Sequence, residues 1–413
     1  MNNECGTMNA GSEPFWKNLA SLRLNRAEAS GAVGDLGTFL PLLVGMVSGC
    51  GLHLGQALLF AGIAGVITGL MFGIPMPIQP MKAIAIVAIT EGMSVPEILA
   101  AGVLTGAVML VLGVTGLIDW FNRAVPRVLI RAIQLALGFK LLSTGFNMSI
   151  GSRPWIGGDS IALAAVSFAL LLWLRSSQRA PAALAVFVLG VMALLVSQPH
   201  LFLSLHLGLE HLTLQSIAAS DWITGFWRGA MPQIPLTVLN SVMAVSLLSA
   251  DLFGQRRAEP KKIALSLGLL NLAFCPFGAM PMCHGAGGLA AHYRHGGRTG
   301  GCTIILGLAN IALALLFGSS LLPIFSFYPR SVLGMLLAFA GVELMLVCRD
   351  QKAARDIVVM LMAATVCVVT NFATGFLFGW AVVALIRART PVAARLHDQL
   401  SEQGTTVISA NLK

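Results

Sequence analysis

Gly73-Ile-Pro75-Met-Pro77-Ile-Gln79-Pro80-Met-Lys82-Ala-Ile-Ala85 cannot run as one continuous helix. Each of its three prolines lacks an N–H and holds the residue before it extended. The apolar piece that follows, about 82–90, is too short to cross a hydrocarbon core of about 30 Å, which takes roughly 20 helical residues. The same plan recurs about half the chain later in Gly278-Ala-Met-Pro281-Met-Cys283-His284-Gly285-Ala286-Gly287-Gly288-Leu-Ala290, ahead of a second short piece at 285–293. Both copies read Gly, Met-Pro, one residue, a polarisable side chain and then a short helix. Two matched, interrupted segments in a repeated chain point to a transporter's binding site; two unrelated kinks are the plainer alternative.

Around these breaks the 413 residues are 56% hydrophobic and 10% charged, with mean hydropathy +0.83, whereas soluble domains carry about a quarter charged residues. A water-soluble fold is excluded. Leu, Ala, Gly and Met dominate the apolar stretches, with no alternation of apolar and polar positions, which excludes a barrel. Spans are predicted at about 31–49, 54–72, 95–118, 128–148, 161–174, 181–198, 229–250, 262–277, 300–318, 331–348, 355–371 and 373–387. With the two short pieces as half-spans, fourteen crossings are expected in an all-α, polytopic fold of seven plus seven helices. No cleavable signal peptide is expected in the polar first 28 residues. The seven Cys form no Cys-x-x-Cys pair, so they read as small buried side chains and no metal site is expected.

The net charge of +9 is explained by topology. With the N-terminus inside and fourteen crossings, every Lys and Arg falls on the cytoplasmic side except Lys82, Lys140, Arg153, Arg228 and Arg330, as cytoplasmic loops require. Omitting the two half-spans would turn Arg123 through Lys262 outward. No nucleic-acid partner is expected. Seven crossings per half is an odd number, so the halves must be inverted. The expected organisation is a cytoplasmic segment 1–30, a first repeat 31–198, an extracytoplasmic connection 199–228, a second repeat 229–388 and a cytoplasmic tail 389–413 without a regulatory domain, in a plasma or inner membrane.

A half-helix that begins in mid-membrane leaves its first N–H groups unpaired and carries roughly half a positive charge there, and such ends bind anions. Two opposed starts and Lys82 sum to about +2 by this estimate, the charge that balances a tetrahedral dianion. An intramembrane Lys costs about 2.5–3.5 kcal/mol on insertion scales and usually marks a pathway; snorkelling or pairing with Asp35 or Glu343 are its alternatives. Gln79 brings donors without charge, and Pro77 and Pro80 keep the approach extended. At the second break Gly285, Gly287 and Gly288 permit close approach to backbone, with His284 as a donor. Candidate ligands are Gln79, Pro80, Lys82 and Ala83, then His284, Gly285, Ala286, Gly287 and Gly288. Gln233 and Asn240 are added from the opening of the second repeat, the counterpart of the Asp35 region. Asp35, Glu343 and Lys140 are candidates for proton coupling or for ion pairs between spans.

At these residues the chain resembles the molybdate transporter family, a branch of the sulfate permease superfamily. The likeness is carried by Pro77-Ile-Gln-Pro-Met-Lys82-Ala-Ile-Ala85 and by Phe277-Gly-Ala-Met-Pro-Met-Cys-His284-Gly-Ala-Gly-Gly-Leu-Ala-Ala-His-Tyr293 with Gly296-Gly-Arg-Thr-Gly300. The resemblance implies a seven-plus-seven inverted repeat with core and gate subdomains and secondary uptake of molybdate by alternating access. Sulfate is the alternative ion, and a nucleobase permease on the same fold a remoter one; neither break offers the carboxylate that a ring N–H would want. An intramembrane enzyme would need more than Cys283 beside His284. Expected partners are the oxyanion and the bilayer; a homodimer is compatible with this reading. No cofactor and no catalytic residue is expected.

Overall fold

The computed structural model describes residues 21–118, 120, 125–151, 153–175, 181–203 and 214–389. Most of the expected cytoplasmic N-terminal segment, part of the extracytoplasmic connection and the tail from 390 lie outside these residues.

The first half begins with α1 (Arg26–Cys50) and α2 (Leu54–Phe72). A two-residue strand β1 (Gln79–Pro80) then leads into the short α3 (Lys82–Glu91), followed by α4 (Val95–Thr115), α5 (Arg127–Ile150), α6 (Ile161–Leu174) and α7 (Ala182–Ser197). The second half repeats this order. It runs α8 (Ala219–Arg256), α9 (Pro260–Phe274), β2 (Met282–Cys283) and the short α10 (Ala286–Arg294), then α11 (Gly301–Phe317), α12 (Arg330–Leu346), α13 (Ala354–Val369) and α14 (Phe372–Arg389). Six of these helices are long and apolar enough to cross a membrane. Both breaks open on a left-handed glycine, Gly73 at φ 65° after α2 and Gly278 at φ 84° after α9, a conformation that costs a side-chain-bearing residue energy.

The helix packing repeats across the halves. The most extensive contacts are α5 on α12, α2 on α11 and α4 on α9. Exchanging each helix of the first half with its counterpart seven places later maps α2–α11 onto α4–α9 and α5–α12 onto itself. Glycines line these seams. A Cβ on Gly62 would lie 2.5 Å from the Gly307 carbonyl oxygen, and one on Gly69 would lie 2.6 Å from that of Gly300. Gly138 and Gly145 of α5 oppose Gly341 and Gly334 of α12 in antiparallel order. Apolar side chains gain little from leaving lipid for one another, so close backbone approach at small residues is what joins membrane helices. The exposed faces carry large apolar side chains such as Val114, Trp173, Leu269, Leu308 and Leu361.

Two bodies result. Helices α5–α7 and α12–α14 pack on one another as a gate, and α1–α4 with α8–α11 form a core around the breaks. Within that core α3 is buried from Ala83 through Ala88, which is why it is apolar all round. The two half-helices meet the gate unequally. The half-helix α3 packs on α5, whereas the symmetry-related approach of α10 to α12 is not among the principal packings.

Two of the charges considered for proton coupling or ion pairing, Lys140 and Glu343, stand in ion pairs. The Lys140 ammonium lies 2.5 Å from Glu91 at the end of α3, which Arg228 also reaches at 3.3 Å, and it stands over the Phe372 ring. Glu343 pairs with Arg175 at 3.1 Å, both about half exposed. Glu343 lies near the end of α12, where a long side chain reaches polar surroundings, whereas Lys140 stands in the middle of α5 and meets the last residue of α3.

Gly145→Leu, whose Cβ would start 2.6 Å from the Ala338 nitrogen, is expected to destabilise the protein by about 2 kcal/mol, the usual cost of overpacking. Thermal unfolding in detergent measures this. Gly49→Ala, with open space around its Cβ, should leave the midpoint unchanged.

Candidate functional site

The two breaks come together. Gln79 pairs with Cys283 and Pro80 with Met282 in an antiparallel bridge, and the Met81 N–H donates to the Pro281 carbonyl at 2.8 Å. The prolines keep both approaches extended, so their backbone groups bond across the bridge instead of within a helix. From its two ends α3 and α10 leave with their N-termini at the bridge.

Several polar side chains brace this crossing. Asn271 of α9 accepts from the Met282 N–H and donates to the Met282 carbonyl, both at 2.8 Å. The two nitrogens of His284 are both engaged: Nδ1 bonds the Pro77 carbonyl at 2.9 Å and Nε2 meets the Ser266 hydroxyl at 3.1 Å. A carbonyl can only accept, so Nδ1 carries the hydrogen and Nε2 accepts from Ser266. His284 thus ties the second break to the first and to α9, and in this state it offers no free donor to a ligand.

Gln79 is fully buried; its amide nitrogen donates to the Asp35 carboxylate at 2.5 Å. Its amide oxygen has no hydrogen-bond partner among the described residues, and it lies where side chains on Gly285 would begin. A Cβ on Gly288 would meet Asp35 Oδ2 at 2.8 Å. These glycines are therefore required by the packing of Gln79 and Asp35 against the α10 start. Asp35 is itself 3% exposed and within electrostatic reach of Lys82. Lys82, the first residue of α3, is partly exposed and forms no salt bridge with a described residue. The α10 start carries no side-chain cap; Gly287 is exposed there, and a Cβ on it would meet open space.

The α3 start differs. The amide oxygen of Gln233 accepts from the Ala83 N–H at 2.8 Å and the Ile84 N–H at 3.4 Å, while its nitrogen donates to the Thr237 hydroxyl at 2.8 Å. Asp35 on α1 and Gln233 on α8 thus hold corresponding posts, each beside the half-helix of the opposite repeat. Asn240, half-buried in a π-helical part of α8, is not drawn into this network. Thr237, Ser266 and Asn271 are site residues that the sequence reading missed. Their only signal there is polarity within apolar helices.

A family model described as "Molybdate transporter of MFS superfamily" matches residues 27–141 and 225–344, which include both breaks, Asp35 and Gln233. The chain is 38% identical to Molybdate transporter 1 of Arabidopsis thaliana, covering 86% of this chain and 87% of that protein. It is also 38% identical to Molybdate transporter 2 of the same plant, covering 88% of each. Its fold is shared by the transmembrane domain of the cyanobacterial bicarbonate transporter BicA, at TM-score 0.65 and 16% identity over 85% of this chain and 97% of that one. With both interrupted segments inside the matched residues and the likeness running over most of its length, the chain belongs to the molybdate transporter family.

Proposed function

We propose that the chain is a secondary transporter that imports molybdate by alternating access, binding it where the two half-helix starts converge. The carrying observation is the β1–β2 bridge, which brings two electropositive helix ends to one buried place. The uncapped N–H groups at Ala286 and Gly287 would hold anion oxygens, with the Lys82 ammonium supplying net charge. Gln79, Gly285 and Gly288 shape the pocket, and His284 positions the second break. Sulfate has the same charge and shape, so competition among molybdate, tungstate and sulfate in proteoliposomes ranks the ions.

In the proposed topology the chain crosses fourteen times with both termini cytoplasmic, in a plasma or inner membrane, and α3 ends on the outer side. The packing of α3 on α5, with Lys140 and Arg228 on Glu91, then closes the outer face, and the looser α10 side opens inward. Lys140→Gln is expected to shift the population toward the outward-open state. Cysteine accessibility from outside at positions along α5 should rise in this variant; an unchanged pattern would remove the latch.

Lys82→Gln is expected to raise the KM for radiolabelled molybdate about tenfold or more, consistent with losing a charged hydrogen-bond partner worth about 1.5–3 kcal/mol. Undiminished affinity takes Lys82 out of the site.

Asp35 supports coupling to protons. A dianion beside an ionised, buried carboxylate is repelled, whereas a protonated Asp35 is neutral and can donate. Binding therefore favours the protonated form, and by linkage affinity rises as pH falls through the titration of Asp35. Asp35→Asn should bind and exchange molybdate without dependence on pH and lose the stimulation of net uptake by an inward proton gradient. A variant that keeps that stimulation excludes Asp35 as the carrier.

A further inference from the structure

We propose that Gln233 is a displaceable internal ligand, whose amide oxygen holds the α3 start in the anion-free protein and leaves when the oxyanion arrives. The proposal rests on the oxyanion reading above and concerns how tightly that site binds.

The leading N–H groups of a mid-membrane helix are the ones an anion would take, and at α3 two of them, Ala83 and Ile84, already have an acceptor. Two N–H donors fix which end of the amide faces the helix, because the nitrogen end would set donor against donor. An oxyanion cannot share this place with a carboxamide oxygen, since both are acceptors. Gln233 is 1% exposed, so the oxygen is held out of water and the two bonds are not readily replaced. Its other anchor, Thr237, lies one turn further along the same helix. Rotation of the side chain can therefore free the helix start without moving α8 as a whole.

The symmetry of the fold sharpens the contrast. Asp35 stands beside the α10 start with a charge that a proton can remove, while Gln233 stands at the α3 start with a neutral oxygen that can only be moved. Displacing it costs the same two bonds whatever tetrahedral anion enters. Gln233 should then lower the affinity for every such anion by a common factor and leave their ranking unaltered. A direct ligand would do neither.

Binding of molybdate and tungstate to the purified full chain in nanodiscs, by calorimetry, tests this. Gln233→Ala and the similarly sized Gln233→Met should tighten both anions about three- to tenfold, the range expected for losing one or two modest hydrogen bonds, with the molybdate-to-tungstate ratio unchanged. Gln233→Glu should weaken both about tenfold or more at neutral pH by setting a charge against the anion. Unchanged or weaker binding in both the Ala and Met variants, or a changed ratio, overturns the proposal. Gly288→Ala, which drives a methyl into Gln79 and Asp35 at the other helix start, reports on the oxyanion reading itself. If it leaves molybdate binding intact, that reading falls and Gln233 with it; if it abolishes binding while the Gln233 variants fail to tighten it, only the Gln233 inference is lost.

Discussion

Backbone groups in the middle of a bilayer have no water to bond, and an unpaired one costs several kcal/mol there. Every feature around the two breaks answers that constraint. The extended residues before α3 and α10 pair with each other across the β1–β2 bridge. Asn271 takes both the N–H and the carbonyl of Met282, His284 takes the Pro77 carbonyl, and Gln233 takes the leading N–H groups of α3. The α10 start, without a side-chain cap, is where this internal satisfaction is incomplete. The α10 start therefore offers its backbone donors directly, whereas those of α3 come free only when Gln233 moves away.

The bridge also explains why the surrounding seams are so close. Two half-helices from opposite repeats can reach one another only if the helices that carry them cross nearly backbone to backbone. Gly102 of α4 shows the fit: a Cβ there would meet the Pro281 ring at 2.7 Å and the Cys275 sulfur at 2.8 Å. The glycine pairs of α2 with α11 and of α5 with α12 give the same closeness to the core and to the gate in turn. Between the two bodies the packing is less extensive than in these seams, and it includes the Lys140–Glu91 ion pair. Charged pairs near a helix end exchange for water at little cost, so the boundary between the bodies can open while the seams within each stay shut.

The breaks, the short helices, their repetition and the place of Lys82 at the first short helix were all legible in the sequence, because prolines, glycines and span length act locally. Direction was not legible. Spacing marked His284 as a donor near the second break, but only the folded chain turns both its nitrogens to Pro77 and Ser266. Glu343 and Lys140 stood out as charges within apolar stretches, but their partners did not: Arg175 beside Glu343 and Glu91, at the end of α3, beside Lys140 are brought there by packing. Gln233 was placed in the cavity wall by its position in the repeat; that its oxygen caps α3 depends on how α8 packs across the other half. Asn271 and Ser266 left no motif at all, since a polar residue that braces a backbone looks the same in sequence as one that merely fills a core.

Charge explains why the two repeats differ at matched posts. On the proposed reading the helix starts contribute about +1 together, while Lys82 and an ionised Asp35 cancel. The empty site is then only weakly positive, a state that a low-dielectric interior tolerates far better than +2. A dianion entering without a proton would leave the site near −1; with a proton on Asp35 it is close to neutral. A carboxylate at both posts would make the empty site neutral and demand two protons per anion, and an amide at both would leave about +2 buried with nothing to release it. One acid and one amide, facing the half-helices of opposite repeats, keep both the empty and the loaded forms within one charge of neutrality.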